Sequence, residues 1–333
     1  MGNVEARVRD VCTILFLIVV VFGIRLFLPD VPEATENELK SWNEYMQVIH
    51  HTVSEAWKNH SLGTTKNGDA IEEVAVEHFS RSLKIVITSF FLALTFGIWK
   101  GIFDFRKRKP YQKLVGEGLT SFLSALPDFF VILCLQWIIL FYVPFISWFG
   151  HEEWYSFLLP SVLVALYPLL YVAKVTTSAL NEESDQVFVA VARSKGLIEK
   201  IVTYKHILRN SMVQIISHLP SIMVYVLSNL LIVEWLTEYK GAAYRLFQTV
   251  DKKNVMTKLS GADVERVIET GMILELALGF MLLYFVSILV SKFLLRIVSP
   301  FYSTTMLVKD VTRQLIIIIP AMAGVSLFLL YII

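Results

Sequence analysis

The sequence predicts an all-α polytopic membrane protein with about seven transmembrane helices and its amino terminus inside the cell. Of the 333 residues, 55% are hydrophobic and 18% are charged, whereas a soluble domain averages about 45–50% and about 25%. The mean hydropathy is +0.60. A net charge of +1 gives no basis for binding nucleic acid. The high hydrophobic fraction and the low charged fraction indicate a protein embedded in lipid.

Seven segments are long and apolar enough to cross the hydrocarbon core of a bilayer, which is about 30 Å thick and takes about 20 helical residues. Backbone groups in lipid must be satisfied internally, so each segment is predicted to be a helix. The first is interpreted as a retained anchor, because no small-residue cleavage site follows it. The predicted spans are 11–28, 83–102, 121–145, 157–175, 212–236, 270–290 and 315–333.

Lysine and arginine orient these spans. Six basic residues lie at or beyond the end of the second span, and six more at or beyond the end of the fourth, whereas 146–156 has none. Basic connections stay in the cytoplasm, so the amino terminus is predicted inside and the carboxyl terminus outside. The connection 237–269 also has six basic residues and is nevertheless placed outside. It is long and acidic as well.

The segment 29–82 is predicted to lie outside the cell. It is acidic, and apolar residues from Trp42 to Trp57 recur at spacings of three and four, which is typical of an amphipathic helix. We expect a small exterior cap packed over the bundle. The alternative is a contact surface for a soluble exterior partner.

A polar, basic segment, 185–210, separates the fourth and fifth spans. A short helix is expected over 187–195, ended by Gly196, where a left-handed backbone carries no Cβ penalty. A second, amphipathic helix follows, with one predicted stripe of apolar and long side chains. That stripe comprises Ile198, Ile201, Val202, Lys205 and Leu208. The segment fits either insertion into a groove of another protein or a position on the membrane surface.

Polar side chains inside the spans are candidates for a translocation path, because such residues are costly in lipid and mark pathways. The alternative for each is hydrogen bonding between helices, which is favoured for Glu234. Prolines, among them Pro127 and Pro220, are expected to kink or start helices. The candidate path residues are Asp128, Gln136, Asn229, Glu234 and Glu275.

No motif for catalysis is present. The sequence contains no phosphate-binding GxxxxGK[ST], no HExxH and no GxSxG, so we expect no enzyme activity and no directly bound cofactor. Cys12 and Cys134 lie in predicted spans and are expected to be small buried hydrophobic residues, and no metal site is predicted. An energy source would have to come from a separate chain.

The loop motif resembles a known family. Residues 188–197 read FVAVARSKGL and 206–210 read HILRN, which resembles the EAA loop of binding-protein-dependent ABC importer permeases, in particular the dipeptide/oligopeptide/nickel branch. Residues 124–129, SALPDF, are similar to that branch's siPxF motif. Residues 232–234, IVE, with Gly241 are similar to its vvE…pGlG motif. The motifs occur in the family's order along most of the chain up to about residue 300.

The sequence also departs from that family. Ala190 and Val191 stand where the EAA motif has its leading Glu and first Ala, and the PGLG element is altered around 240–243. About fourteen extra polar residues, 252–265, follow. The family's closing DPR is SPF at 299–301, and the span 315–333 is additional.

The resemblance implies a type I ABC importer transmembrane domain in a bacterial-type cell membrane, carrying peptides or a similar small solute. It implies a second permease subunit, two cytoplasmic ATPase subunits that use the ATP, and an exterior substrate-binding protein. Small side chains at Ala192 and Ser194 would permit close approach of the ATPase, and Arg193 and Lys195 would pair with its acidic residues. The implied coupling residues are Ala190, Ala192, Arg193, Ser194, Lys195, Gly196, Leu197, His206 and Asn210.

The spans and the resemblance together predict four parts of the chain. A tail and first helix occupy 1–28, the exterior cap occupies 29–82, and a core of five transmembrane helices with the coupling loop occupies 83–300. A linker and an extra helix occupy 301–333. Two other functions stay open, a secondary transporter driven by an ion gradient and a membrane scaffold or sensor that does not transport.

Overall fold

The structure is a computed structural model that describes residues 65, 68–106, 114–142, 153–250, 270–299, 311–312 and 314. All of them lie in one compact unit, Thr52–Ile333. The predicted spans 11–28 and 315–333 and most of the exterior cap lie outside the described residues. The helices are α1 (Ile71–Arg106), π1 (Leu114–Gly118), α2 (Leu119–Ala125), α3 (Asp128–Tyr142), α4 (Leu158–Ser184), α5 (Val187–Ser194), α6 (Glu199–Ile201), π2 (Val202–Ile207), α7 (Leu208–Ser217), α8 (Leu219–Leu236), α9 (Ala242–Val250) and α10 (Thr270–Val298).

Four of these helices, α1, α4, α8 and α10, are long and apolar enough to cross a membrane, and the bent pair α2–α3 raises the number to five within the described ranges. The predicted spans 83–102 and 270–290 lie inside α1 and α10, and 157–175 lies in α4 except for its first residue. One side of the bundle, predicted to be cytoplasmic and called the inner side, carries the carboxyl ends of these three helices. The opposite, outer side carries the carboxyl end of α8.

The third predicted span, 121–145, is not one helix. Helices α2 and α3 meet at 103°. Leu126 between them has an extended backbone, with φ −75° and ψ 146°, because the residue before a proline is disfavoured in the helical region. Pro127 then starts α3, and its carbonyl accepts hydrogen bonds from the Phe130 and Val131 N–H groups at 3.1 and 3.2 Å. The third predicted span therefore consists of two helices joined at a sharp bend, and the kink expected at Pro127 is confirmed.

The fifth predicted span, 212–236, also begins too early. The chain breaks at His218 between α7 and α8, and Pro220 lies in the first turn of α8, where its missing N–H costs nothing. Residues 212–217 therefore belong to α7, which continues from the segment 185–210, called the inner loop. A hydrogen bond of 2.7 Å from the Ser291 hydroxyl of α10 to the Ile216 carbonyl holds α7 against the bundle.

The core forms where α1, α4, α8 and α10 bury apolar side chains against one another. Helices α1 and α4 approach most closely, at two glycines of α1. A Cβ on Gly97 would lie 2.6 Å from the Val172 Cβ, and one on Gly101 would lie 2.5 Å from the Thr176 Cβ. Glycine at these positions lets the two backbones pack tightly, as is common between helices in membranes.

One expectation about the cysteines was wrong. Cys134 lies on an exposed side of α3, not in the core. The reason is that α3 is apolar on every side and has a single buried residue, Ile132, among those described. Hydrophobicity alone therefore did not distinguish its buried side from its exposed side. Cys12 lies outside the described residues.

Candidate functional site

The inner loop forms the predicted helix and glycine corner. Helix α5 spans Val187–Ser194, and Gly196 follows with φ +75°, in the left-handed region. The Gly196 N–H donates to the Arg193 carbonyl at 2.9 Å, which closes the helix end. A Cβ on Gly196 would meet nothing within 4 Å. Glycine is therefore required here by the backbone angle and not by crowding.

The second part of the loop differs from the prediction. It runs through α6 into the π-helix π2, in which hydrogen bonds span five residues and each turn holds an extra residue. That extra residue shifts the buried face. Val202 and Thr203 are buried, whereas Ile198 and Ile201 are 70% and 43% exposed. The expected stripe from Ile198 to Leu208 was therefore wrong.

The inner face of the loop packs against its own chain. Val189 and Ala192 of α5 are buried with Val202 and Ile207 of π2 and Leu180 of α4, and Ile102 and Phe105 of α1 pack against this cluster. Ala192 is 5% exposed. Its small side chain therefore fits a contact within the chain, and its role in the close approach of the ATPase stays a prediction.

The opposite side of α5 is exposed and apolar. Val187, Phe188 and Val191, here called the loop face, share one side of the helix because they are three and four residues apart. They are 78%, 37% and 46% exposed. Beyond the corner, Leu197 is 37% exposed. An exposed apolar surface within a polar, basic loop is a candidate interaction site.

The charged side chains of the loop are placed as follows. The Arg193 guanidinium donates to the two Glu199 carboxylate oxygens at 3.0 and 3.3 Å, which bridges the glycine corner on an exposed surface. Ala190, Ser194, Lys195 and Asn210 are also exposed. His206 is partly buried in π2. Most of the predicted coupling residues are therefore exposed on α5 and the glycine corner. Ala192 and His206 are instead buried or partly buried against neighbouring helices of the same chain.

At the outer side, Glu234 anchors a buried cluster of hydrogen bonds, here called the Glu234 knot. Its carboxylate accepts from the Ser82 hydroxyl of α1 and from the Ala243 and Tyr244 N–H groups at 2.9 and 3.0 Å. The Ser82 oxygen accepts the Ala242 N–H at 2.7 Å. Glu234 is fully buried, and its carboxylate lies at the amino end of α9, where it satisfies N–H groups that have no partner within the helix. This geometry fits the alternative of hydrogen bonding between helices.

The turn before α9 is shaped around this carboxylate. A Cβ on Gly241 would lie 2.2 Å from Glu234 Oε1, so the turn requires glycine. The Lys240 carbonyl accepts from the Arg81 guanidinium at 3.2 Å and lies 2.9 Å from His78 Nδ1. Burial raises the pKa of the Tyr239 phenol above its ordinary value, with the Glu234 carboxylate adding to the effect, so the hydroxyl stays protonated.

A second polar cluster, at the inner end of α1, was missed by sequence reasoning. The Lys100 ammonium donates to both Asp104 oxygens at 2.5 and 2.6 Å and contacts the Thr120 hydroxyl at 2.9 Å. The Thr120 hydroxyl also lies 3.0 Å from Asp104. A Cβ on Gly116 would lie 2.9 Å from Asp104 Oδ1. The sequence signal was a lysine and an aspartate four residues apart in an apolar helix.

A third cluster lies between α4 and α8 and is called the tyrosine cluster. The Tyr171 hydroxyl lies 2.8 Å from His218 Nδ1, and the Tyr171 and Tyr225 rings are 4.8 Å apart. Tyr167 lies 5.8 Å from Tyr225, and its hydroxyl donates to the Ser124 carbonyl at 3.1 Å. All four side chains are partly exposed. Sequence reasoning did not select the tyrosines, because nothing in the linear spacing pairs 167 and 171 with 225.

The five candidate path residues are not all brought together. Asp128 begins α3, four residues after Ser124, whose carbonyl accepts the Tyr167 hydroxyl, so it lies near the tyrosine cluster. The Gln136 amide donates to the Leu236 carbonyl at 2.9 Å, which links α3 to α8. Asn229 is fully buried, and its amide has no hydrogen-bond partner among the described residues. Glu275 is partly buried near the outer end of α10, and its Oε2 has no hydrogen-bond partner among the described residues.

Comparison with known proteins identifies similar sequences. The model of a family described as the binding-protein-dependent transport system inner membrane component matches residues 93–304. The chain is 26% identical over 183 residues to the glutathione transport system permease protein GsiC of Salmonella typhi, which covers 55% of this chain and 60% of that protein. It is 21% identical over 192 residues to the dipeptide transport system permease protein DppB of Bacillus subtilis, covering 57% of this chain and 61% of that protein.

A third similar protein is the oligopeptide transport system permease protein AmiC of Streptococcus pneumoniae. Identity is 29% over 142 residues, which is 43% of this chain and 24% of that protein. The chain thus spans about three fifths or less of the length of these curated relatives.

Proposed function

The chain belongs to the family of binding-protein-dependent transport system inner membrane components, and on that basis we propose that it is the transmembrane permease subunit of an ATP-driven importer. Family membership confirms the predicted family, the class of transport subunit as opposed to enzyme, and a multi-pass inner-membrane protein. It favours the importer over the secondary transporter and the scaffold. The proposed cargo is a peptide or a similar small solute, in line with the relatives named for glutathione, oligopeptide and dipeptide transport.

One observation carries the proposal, namely that α5 has two sides with different contacts. The loop face of Val187, Phe188 and Val191 is exposed, whereas Val189 and Ala192 on the opposite side pack on the inner ends of α1 and α4. A protein that binds the loop face would therefore move both spans together with α5. This is the connection that a coupling helix requires, since interfaces transmit motion as rigid units.

The partners follow from this arrangement. We place a cytoplasmic ATPase on the loop face, with a second ATPase on the equivalent loop of a second permease subunit and an exterior substrate-binding protein on the outer side. ATP is used by the ATPases and not by this chain. The glycine corner at Gly196 sets the direction in which α5 is presented.

The tyrosine cluster is the proposed lining of the translocation path. Hydroxyls and an imidazole that are partly exposed at membrane depth are costly in lipid and are expected to face water or a partner. The cluster adjoins Asp128 and the bend at Pro127, and Tyr167 holds that bend through the Ser124 carbonyl. Phenol hydroxyls both donate and accept, so they suit the amide groups of a peptide.

Co-purification tests the proposal. The tagged chain is extracted from its native membrane, and its partners are identified by mass spectrometry. The expected partners are an ATPase and a second permease. Val191→Asp places a charge on the loop face and is expected to remove the ATPase while keeping the second permease. Asn181→Asp adds the same charge at an exposed position before the loop and serves as the control. ATPase recovery by Val191→Asp at the wild-type level would refute the docking role.

A further inference from the structure

A groove runs along the inner third of α1 and is separate from the loop face and the tyrosine cluster. It has a volume of about 550 Å³, within the range of about 300–1,000 Å³ typical of ligand sites. Ile98, Trp99, Ile102 and Phe103 of α1 line one wall, and Tyr204 of π2 lines the other. Apart from Thr95 of α1, the side chains that line the body of the groove are apolar or aromatic.

The aromatic side chains face outward from the bundle. Trp99 is 66% exposed, and Phe103 and Tyr204 are 40% and 43% exposed. The Trp99 and Phe103 rings are stacked with their centroids 6.2 Å apart. An exposed tryptophan near the end of a transmembrane helix, such as Trp99 in α1, is typical of the level of lipid headgroups.

The inner end of the groove is basic. Arg106 lines it and also lines an adjoining cavity of about 130 Å³, together with Lys200. Glu199 borders the same cavity, but its carboxylate is paired with Arg193, so its charge is offset. The two remaining cations give this end a net positive charge.

The sequence that directly follows α1 is also basic. Residues 106–109 read Arg-Lys-Arg-Lys, directly at the inner end of a transmembrane helix. A run of basic residues at this position attracts anionic lipids of the cytoplasmic leaflet. An apolar groove that ends in cations therefore matches one kind of ligand, which has an apolar chain and an anionic head.

We propose that this groove binds an anionic phospholipid of the inner leaflet. One acyl chain lies against Trp99 and Phe103, and the phosphate lies between Arg106 and Lys200. Tyr204 belongs to π2, whose Val202 and Ile207 pack beneath α5. The bound lipid thus joins α1 to the helix that supports the inner loop.

Native mass spectrometry of the purified full chain tests this proposal. The probes are phosphatidylglycerol and phosphatidylcholine with identical acyl chains. Retention of phosphatidylglycerol is expected to exceed that of phosphatidylcholine. The variant Arg106→Gln/Lys200→Gln is expected to bind phosphatidylglycerol about 10-fold more weakly, because each cation near an anionic headgroup adds to the attraction. Equal retention of the two lipids by the wild type would overturn the proposal.

The control is Lys174→Gln/Arg209→Gln, which removes two exposed basic side chains that do not line the groove. It is expected to bind phosphatidylglycerol like the wild type, and an equal loss in both double variants would contradict a specific site. Inorganic phosphate is the probe for a soluble ligand. If phosphate alone raised the melting temperature of the protein as much as phosphatidylglycerol does, the lipid would be excluded as the specific ligand.

A measurement on the wild type keeps the test independent of folding of the variants. Phosphatidylglycerol with a photoactivatable acyl chain is expected to cross-link to peptides that contain 98–106 or 202–207. Cross-links confined to other helices would refute the site.

Discussion

Ser82 of α1 and Glu234 of α8, 152 positions apart in the chain, share a buried hydrogen bond at the outer side of the bundle. The same Ser82 oxygen accepts the Ala242 N–H, and the same carboxylate accepts the next two N–H groups of α9. Three helices are therefore joined by a small set of polar atoms, so the loss of any one atom leaves others unsatisfied.

Ser82→Ala is expected to lower the free energy of unfolding by about 1–3 kcal/mol, because it leaves the buried Ala242 N–H without an acceptor. The measurement is thermal unfolding of the purified chain in detergent. Ser80→Ala on the exposed side of α1 is the matched control and is expected to change little. Equal effects of the two substitutions would contradict the importance of the Glu234 knot.

Gly241→Ala is expected to destabilise the protein by about 1–3 kcal/mol through overpacking, since its Cβ would lie 2.2 Å from Glu234 Oε1. Glu234→Asp shortens the opposing side chain. The double variant is expected to be less destabilised than the sum of the single variants, because neighbouring residues do not act additively. Strict additivity in the melting temperatures would argue against this contact.

Gly196→Ala is expected to loosen the inner loop, because φ +75° costs an alanine about 1–2 kcal/mol. Gly196→Asn is the matched variant, since asparagine adopts this conformation more readily. Limited trypsin digestion at the exposed Arg193 and Lys195 measures the difference. Cleavage is expected to be faster in the alanine variant than in the asparagine variant. The reverse order would show that the size of the side chain, and not the backbone angle, limits which residue fits at position 196.

Asp104→Asn is expected to cost about 3–5 kcal/mol, because it leaves the Lys100 ammonium without its buried counter-charge. The double variant Lys100→Met/Asp104→Leu removes both charges and is expected to regain most of that loss. Chemical unfolding measures the free energy of unfolding of the single and the double variant. If the double variant is the less stable of the two, the ion pair itself stabilises the helix ends.

Tyr171→Phe removes the hydroxyl that lies 2.8 Å from His218 Nδ1 and keeps the ring. If the tyrosine cluster lines the path, uptake of labelled peptides into cells is expected to fall several-fold with normal amounts of protein in the membrane. Tyr284→Phe on α10 lies outside the cluster and is the control. Unchanged uptake in Tyr171→Phe would remove this hydroxyl from the path.

The sequence alone determined the features that depend on composition and on single backbone positions. Apolar length predicted α1, α4 and α10, and the loop motif led to the family that residues 93–304 match. The corner at Gly196 and the bend at Pro127 were also predicted, because each follows from the backbone preferences of a single glycine or proline.

Only the tertiary structure decided which side chains meet. Ala192 lies in the core of its own chain, the π-helix turns Ile198 outward, and tyrosines of α4 and α8 meet beside the Asp128 predicted from the sequence. Helical periodicity describes one helix at a time, and in an apolar chain it does not separate a face toward lipid from a face toward a neighbour. Contacts between residues far apart, such as Ser82 with Glu234, arise only when the helices pack together.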